Sequence, residues 1–392
     1  MLFAQEHALR HGDVAAPCSV SRLRLNNFRN YARLSLDLSA SIVILSGSNG
    51  TGKTNLMEAI SFLSPGRGLR RARLREVQKA DTVDDPNGGW AVAATISGPG
   101  GPVKISSYLG KTNKGKDCRL ARHDGASAQP ASLSQLVGVQ WLTPQMDRLF
   151  LEGPSSRRRF LDRLVLGLDP NHSRRVGAYE RNLRERYKLQ RDGSCDPAWL
   201  SALEVRMAAD GVAVAAARKE ALARLQQFLV EAPGRFPRPE LAVEGRLESW
   251  LDVLPAVEVE SRFAVMLADN RRRDCEARST GEGPHRSDLV VIHAGKNQPA
   301  AQCSTGEQKA LLISIILANA RAEARRRGAA PILLLDEVAA HLDQQRRDAL
   351  FEEIQDLCGQ AWLSGTDRDL FAPLADRAQF VAVNGGHTVL EG

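Results

Sequence analysis

Paired cysteines and closely spaced histidines are missing from this sequence of 392 residues. The six cysteines are scattered without a CxxC pair, and the eight histidines show neither HxH nor HExxH spacing. These absences argue against a zinc site and against a disulfide framework, and they favour a reducing cytosol. No Ser/His/Asp or Cys/His constellation for nucleophilic catalysis stands out either.

Long apolar runs are also missing. The longest largely apolar stretch, residues 310–320, is about half as long as a membrane-spanning helix must be. The first twenty residues lack an apolar core and carry charged side chains, so they do not resemble a signal peptide. Residues 1–16 are expected to form a flexible tail, and the chain is expected to be soluble and cytoplasmic, without a membrane partner.

Lysine is scarce, whereas arginine is abundant. Only ten of the 53 basic residues are lysine, and the chain carries a net charge of +7. The planar guanidinium of arginine suits phosphate better than the point charge of lysine does. A basic balance favours a polyanionic partner, either nucleic acid or an acidic membrane surface, and the charge alone does not decide between them.

The apolar patterns change twice along the chain. Strand-like alternation covers residues 21–38, and the run "SIVILS" at 41–46, apolar between its two serines, suits a buried central strand. Helical spacing dominates residues 153–283, and strand and helix patterns alternate from residue 287 onward. Alternating β and α elements predict a largely parallel sheet with helices on its faces. The helical segment would then be inserted between two halves of one α/β head.

A glycine-rich loop follows the apolar run at 41–46 and leads into a predicted helix. It fits the P-loop pattern, in which backbone N–H groups and a helix N-terminus bind phosphate, the lysine reaches the β- and γ-phosphates, and the last hydroxyl binds Mg²⁺. A strand before the loop and a helix after it are the context that this mechanism requires. The predicted nucleotide-binding residues are Gly47, Ser48, Asn49, Gly50, Thr51, Gly52, Lys53, Thr54 and the adjacent Asn55.

A second strand ends in two acids. Four apolar residues, 332–335, precede Asp336 and Glu337, which is the form of a Walker B strand. Asp336 is predicted to hold Mg²⁺, and Glu337 to act as the general base that polarises the attacking water. Acids at strand ends are common, but downstream of a P-loop the pattern is specific. Lys53 and Glu337 are therefore the predicted catalytic residues.

The segment "CSTGEQK" at 303–309 precedes a long helix and resembles an ABC signature motif. In that motif a serine, a glycine and a helix N-terminus bind the γ-phosphate across a dimer interface. Ser304, Gly306 and Gln308 are the predicted nucleotide ligands. Ser304 and Glu307 also fit a capping box, which would be a purely structural role, and both interpretations can hold together.

Three further positions complete the nucleotide pattern. Asp343, in "AAHLD", fits a D-loop that couples two nucleotide sites, and Gln145 lies where a metal-binding Q-loop glutamine would follow a strand. A glutamine after a proline is also common in solvated turns. Thr366 stands where transporters usually have a switch histidine, which leaves the sensing of the γ-phosphate at that position open.

Taken in order, these motifs make the chain resemble the RecF family. The resemblance extends from about residue 21 to the closing "FVAVNGG" and rests on "LRLNNFRNYARLSLDL", "GSNGTGKTNLMEAISFLSPGRGLR", "GPSSRRRFLD", "GPHRSDL", "CSTGEQK" and "LLLDEVAAHLD". It implies an ABC-type, SMC-like ATPase head with an inserted, mainly helical lobe. The expected divisions are 17–153 and 283–392 for the two halves of the head and 154–282 for the helical lobe.

The resemblance also implies a function. ATP would close a homodimer that clamps double-stranded DNA near single-strand gaps, and RecO and RecR would be partners in promoting RecA loading. We expect a weak, DNA-stimulated ATPase that acts as a switch, with ATP and Mg²⁺ as cofactors. Arg29 and Asn30 match family positions near the nucleotide.

Clustered arginines follow the P-loop helix. Five guanidinium groups within nine residues suit sequence-independent binding of a DNA backbone, although a solvated loop would have the same composition. Arg67 is preferred because it matches the family's Gly-Arg at this point. The predicted DNA-binding residues are Arg67, Arg70, Arg71, Arg73 and Arg75. Arg157, Arg158 and Arg159 are further candidates, although Arg158 or Arg159 could instead pair with Asp162 on the same helix face.

Other ATPase classes remain as alternatives. The chain could be the nucleotide-binding subunit of an ABC transporter, but such a subunit does not usually carry an inserted arm between its P-loop and its signature motif. A long SMC-like structural ATPase would need a coiled coil longer than about 130 inserted residues provide. An ATPase-nuclease would need an added acidic metal cluster, and no such motif is evident.

Overall fold

The computed structural model describes residues 18–80, 89–192, 196–232, 234–357 and 359–391. The tail predicted for residues 1–16 lies outside these residues. The chain forms two compact units. Unit 1 contains the described residues within 1–147, 233–236 and 312–392, and unit 2 contains those within 148–232 and 237–311.

The strands are β1 (Ser19–Phe28), β2 (Tyr31–Asp37), β3 (Ile42–Ser46), β4 (Ala91–Ser97), β5 (Val103–Lys111), β6 (Asp117–His123), β7 (Ala126–Ala128), β8 (Val139–Leu142), β9 (Pro239–Glu244), β10 (Asp288–His293), β11 (Gln298–Pro299), β12 (Ile332–Leu335), β13 (Ala361–Gly365), β14 (Ala378–Asn384) and β15 (His387–Glu391). The helices are α1 (Lys53–Ser61), α2 (Leu133–Leu136), α3 (Pro154–Leu168), α4 (His172–Asp192), α5 (Pro197–Glu231), α6 (Arg246–Trp250), α7 (Ala256–Asp269), α8 (Arg271–Glu276), α9 (Thr305–Arg327) and α10 (Gln344–Asp356).

Unit 1 contains a six-stranded central sheet in the order β15-β14-β3-β13-β12-β8. Its strands are parallel except for the edge pair β14–β15. β12 is buried along its whole length, and so are Ile42–Leu45 of β3. Strands covered on both faces need apolar side chains at every position, which explains their continuous hydrophobic runs. The carboxyl ends of β3, β12 and β13 lie at one edge of this sheet, where the nucleotide motifs follow.

A second sheet of unit 1 is antiparallel in the order β2-β1-β4-β5-β6-β7. Along β1, Leu23 and Leu25 are buried while Arg22 and Arg24 are exposed, which is the alternation of a sheet with one solvated face. Its buried side chains join those of α1 and the central sheet in one continuous core.

Unit 2 is mainly helical and also contains the three-stranded antiparallel sheet β11-β10-β9. The long helix α5 is capped by Asp196, whose carboxylate accepts a hydrogen bond from the Ala198 N–H. The core of unit 2 is formed by buried side chains of α4, α5, α6 and α7. Arg186 is fully buried, and it donates hydrogen bonds to Glu204, to Asp274 and to the hydroxyl of Thr280. Breaking such a buried ion pair is costly, because it leaves an uncompensated charge in the interior.

The compact units differ from the divisions expected from the sequence. Residues 283–311 were expected in the second half of the ATPase head, whereas their contacts group them with the helices of unit 2. The physical reason is that β10 pairs with β9 along six residues and α3 packs against β10. The functional divisions themselves remain a prediction. None of the described helices is long and apolar enough to cross a membrane.

Candidate nucleotide-binding site

The P-loop connects the end of β3 to the first residue of α1. Gly47 and Gly52 have φ angles of 142° and 118°. A Cβ atom at Gly47 would lie 2.4 Å from the Val383 carbonyl oxygen, and one at Gly52 would lie 2.5 Å from Asn30 Nδ2. Glycine is therefore required at both positions by backbone conformation and by space. The strand–loop–helix context predicted from the sequence is present.

Lys53 is buried at the start of α1. Its ammonium donates hydrogen bonds to the carbonyl oxygens of Gly47 at 2.5 Å and Ser48 at 2.9 Å. Burial lowers the pKa of Lys53, and the nearby carboxylates of Glu337 and Asp336 oppose this shift. The cation is thus folded over the loop, at the point where a P-loop lysine meets phosphate oxygens.

Thr54 and Asp336 meet although 282 positions separate them in the sequence. The Thr54 hydroxyl lies 2.9 and 3.1 Å from the two carboxylate oxygens of Asp336. A hydroxyl and a carboxylate are hard oxygen donors, which Mg²⁺ prefers. These two residues therefore fit the magnesium-binding role that the sequence predicts for them.

Ser364 is a site residue that the sequence reasoning missed. It is buried in β13, where its hydroxyl donates to Asp336 Oδ1 at 2.7 Å and accepts the N–H of Glu337 at 2.9 Å. The available signal was its place near the end of a strand parallel to β12, with Leu335 paired to Leu363. Thr366, which the sequence singled out, is exposed two residues beyond.

Glu337 has a positive φ of 53°, which is unusual for a residue with a side chain. Such a conformation costs about 1–3 kcal/mol and persists only where the surroundings impose it. The hydrogen bond from its N–H to Ser364 is one such constraint. The backbone of the predicted general base is therefore held in a strained conformation directly after the Walker B strand.

Asn30 and Asn55 brace the P-loop. The Asn30 amide donates to the Thr51 carbonyl at 3.0 Å, and its oxygen accepts from Asn55 Nδ2 at 2.7 Å. Arg29 makes two hydrogen bonds, of 2.7 and 2.8 Å, to the fully buried carboxylate of Glu58 in α1. The structure thus brings all three predicted residues to the P-loop and its helix, and Arg29 contacts the helix rather than the loop.

Arg119 is a second residue that the sequence reasoning missed. Its guanidinium donates to the carbonyl oxygens of Phe62, of Ser64 (2.8 Å) and of Gly66 (2.7 Å). Burial lowers its pKa to about 10. Because it comes from β6, which is distant in sequence, no local pattern pointed to it. Arg119 fixes the segment that leaves α1 and leads to Arg67.

The arginines after α1 differ in their surroundings. Arg70 pairs with Glu58 at 3.2 Å, and Arg75 pairs with Asp117 at 2.5 Å. Arg71 is exposed with a φ of 56° and makes an interaction within the chain, and Arg73 lies 3.9 Å from Glu76. Arg67 is exposed, and no described residue pairs with it. Of the five, Arg67 therefore has the guanidinium most available to an external phosphate.

The three candidate arginines of α3 all make contacts within unit 2, and Arg157 pairs with Asp288 at 2.6 Å. Arg158 donates to the Ser287 carbonyl at 2.7 Å, and Arg159 donates to the hydroxyls of Ser155 and Ser156. Asp162 pairs instead with Arg218 and His172, so among the described residues the alternative pairing with Arg158 or Arg159 is not found. Tertiary packing from α5 supplied a closer cation than the helix itself did.

The signature segment, residues 303–309, lies in unit 2. Ser304 is exposed. Its N–H donates to Glu307 Oε2 at 3.1 Å and its hydroxyl accepts the N–H of Glu307 at 3.4 Å, which confirms the geometry of a capping box. Gln308 is buried and donates to the Cys303 carbonyl at 2.9 Å. Gly306, in the first turn of α9, also makes an interaction within the chain.

Asp343 and Gln145 are less tied to the site. Asp343 caps α10 by accepting the N–H of Arg346 at 2.8 Å. Gln145 is exposed, three residues beyond β8, and no described hydrogen bond joins it to Thr54 or Asp336. The nucleotide-binding roles of both residues remain predictions.

Comparison with known proteins decides the family. The model of the RecF/RecN/SMC N terminal domain matches residues 19–372. A "DNA replication and repair protein RecF" from Mesorhizobium japonicum is 48% identical over 374 residues, which cover 95% of this chain and 97% of that protein. The chain belongs to the RecF family.

Solved structures agree with this fold. A structure of the recombination mediator protein RecF-ATPrS in the RecFOR pathway has a TM-score of 0.82 at 21% identity, covering 97% of this chain and 100% of its own. An Smc head bound to the C-winged helix domain of ScpA has a TM-score of 0.53 at 15% identity, covering 95% and 96%. The predicted ABC-type, SMC-like ATPase head with a mainly helical second lobe is confirmed.

Proposed function

We propose that the chain is an ATP-dependent DNA-binding protein of replication and recombinational repair. The observation that carries the proposal is the cluster of Lys53, Thr54, Asp336, Glu337 and Ser364 at one edge of the central sheet. Four of these five residues belong to the two motifs that a phosphate-transferring P-loop ATPase requires. Family membership, together with the RecF-ATPrS structure among the structural neighbours, supports ATP as the nucleotide.

Each residue has a role in this proposal. The P-loop amides and Lys53 bind the phosphates, and Thr54 and Asp336 hold Mg²⁺, which neutralises phosphate charge when bound. Glu337 orients and polarises the attacking water, while Ser364 holds the carboxylate of Asp336 and the backbone N–H of Glu337. Asn30 and Asn55 keep the loop in its binding conformation. We expect hydrolysis to be slow and stimulated by DNA.

The signature segment completes the site from a second copy of the chain in this proposal. Ser304 is exposed, as a residue facing another protomer must be, and its hydroxyl and the N-terminal amides of α9 are donors that suit a γ-phosphate. ATP would then join two copies into a dimer that clamps double-stranded DNA near gaps. Arg67 and its neighbours would contact the DNA backbone.

Partners and place in the cell follow from the family. Because a structural relative is described in the RecFOR pathway, we propose that this chain acts with RecO and RecR and promotes RecA loading in the cytoplasm. This step rests on family membership rather than on any described contact.

The test is salt-dependent binding to gapped and intact duplex DNA, with and without ATP. We expect ATP to tighten binding for the natural sequence, and Lys53→Met to abolish that gain because the phosphates lose their cation. Ser304→Arg should prevent ATP-dependent dimerisation and DNA-stimulated hydrolysis while leaving nucleotide binding by one chain intact. Binding that is independent of ATP would refute the clamp, and unchanged hydrolysis in Ser304→Arg would refute the composite site.

A further inference from the structure

A short hairpin braces the signature segment within unit 2. Strands β10 and β11 are joined by a turn that contains Lys296, whose N–H bonds back to the His293 carbonyl at 3.1 Å. The Lys296 ammonium lies 2.5 Å from Glu307 Oε1. On the same hairpin, Gln298 donates to the Gln302 carbonyl at 3.0 Å. The hairpin therefore contacts the chain on both sides of Ser304, at Gln302 and at Glu307.

Glu307 is the carboxylate that links this hairpin to Ser304. One of its oxygens accepts from Lys296, and the other is 3.1 Å from both the N–H and the hydroxyl of Ser304. The lysine bond and the Ser304 bonds lower the pKa of Glu307 to about 2, so the group is anionic at neutral pH. The Lys296 side chain is half exposed, and the Glu307 side chain is 19% exposed.

Two anions would compete for the same hydroxyl in the proposed composite site. The γ-phosphate needs the Ser304 hydroxyl as a hydrogen-bond donor, but in the free chain that hydroxyl donates to Glu307. A carboxylate without a counter-ion would hold that hydroxyl more strongly and would also repel an approaching phosphate. A cation on the far side of the carboxylate weakens both effects. Lys296 stands in that position.

We propose that Lys296 is a positioning residue for the signature serine, because its ammonium neutralises Glu307 and lets Ser304 turn to a γ-phosphate held by a second copy of the chain. This inference rests on the proposed function, since it requires a composite site. It assigns a role in nucleotide-driven assembly to a lysine outside the signature motif. Lys296 itself does not need to touch the nucleotide.

The experiment measures ATP-dependent dimerisation of the full chain by analytical ultracentrifugation, in the absence of DNA. Lys296→Gln is expected to weaken dimerisation about five- to tenfold, which is modest because the lysine is half exposed. Lys296→Arg should stay near the natural chain because it keeps the charge. Nucleotide binding by single chains should be unchanged. Lys114→Gln, which removes an exposed lysine from unit 1, is the control matched in charge and should have no effect.

A double variant separates electrostatics from structure. Glutamine also serves at the Glu307 position of a capping box, so Glu307→Gln removes the charge and retains the cap. The inference predicts that adding Glu307→Gln to Lys296→Gln restores most of the lost dimerisation. If the salt bridge is purely structural, each single variant should weaken dimerisation to the same extent, and the double variant should not restore it.

The outcomes distinguish this inference from the function on which it rests. If Ser304→Arg blocks dimerisation but Lys296→Gln dimerises normally, or if the double variant shows no recovery, the role of Lys296 is refuted and the composite site stands. If the natural chain does not dimerise with ATP, the proposed function fails and the role of Lys296 fails with it.

Discussion

Replacing Ser364 by alanine should uncouple catalysis from nucleotide binding. The hydroxyl is buried, donates to Asp336 and accepts the N–H of Glu337, so alanine removes two hydrogen bonds at once. A buried donor left without an acceptor costs about 1–3 kcal/mol, and a hydrogen bond to a charged group contributes a similar amount. Asp336 keeps its contacts with Thr54, so we expect a net loss of about 2–3 kcal/mol in the free energy of unfolding.

The effect on hydrolysis follows from the strained backbone of Glu337. Without the Ser364 acceptor, the positive φ of 53° loses one of its constraints, and the carboxylate can move from its position. A displacement of about 1 Å of a catalytic group costs on the order of a hundredfold in rate. We therefore expect single-turnover hydrolysis of ATP to slow by roughly that factor, while the affinity for ATP stays within about twofold because Lys53 and the P-loop are untouched.

The assays are urea unfolding, equilibrium binding of ATP and single-turnover hydrolysis, measured on the same preparations. Ser364→Thr retains a hydroxyl and serves as the matched control, which should hydrolyse faster than the alanine variant. Natural rates and stability in Ser364→Ala would refute the reasoning. So would a loss of nucleotide affinity with unchanged hydrolysis of the bound ATP, because that result would place Ser364 in binding rather than in catalysis.

Three further outcomes test other features. Arg67→Ala should weaken DNA binding and reduce the slope of log affinity against log salt by about one. Arg75→Ala should change that slope less, because the Arg75 guanidinium already pairs with a carboxylate. Equal slopes for the two variants would contradict this ranking. Burial lowers the pKa of His285 to about 4, so the neutral side chain contributes stability that is full above about pH 6.5 and declines toward about pH 4. In urea unfolding, the difference in unfolding free energy between the natural chain and His285→Gln should therefore shrink on acidification. A difference that stays constant with pH would contradict this prediction. Gly47→Ala should lower the melting temperature and ATP affinity far more than Gly50→Ala, because only the first added Cβ meets backbone; equal losses would show that φ alone matters.

The sequence showed the arginine cluster but not which of its guanidinium groups are paired within the chain. The density of five guanidinium groups was visible, but their partners Glu58 and Asp117 lie in other elements. Only the folded chain separates Arg67 from Arg70 and Arg75. The same holds for Asp162, which pairs with Arg218 of a different helix rather than with Arg158 or Arg159 of its own helix.

The sequence by itself determined the P-loop, the Walker B strand and the capped signature helix, because each depends on residues that are neighbours along the chain. Spacing of a few residues fixes which groups share a loop, a strand end or a first helical turn, and the apolar periodicity fixes the element on each side. Only the tertiary structure decided that Ser364 joins the two acids, that Asn30 and Asn55 hold the loop, and that Lys296 faces Glu307. For Ser364 the physical reason is that parallel strands align their carboxyl ends irrespective of their separation in sequence, so strand order and register choose the partners at that edge. Asn30 and Lys296 lie in turns between antiparallel strands, and strand pairing likewise places them beside residues that are distant in sequence.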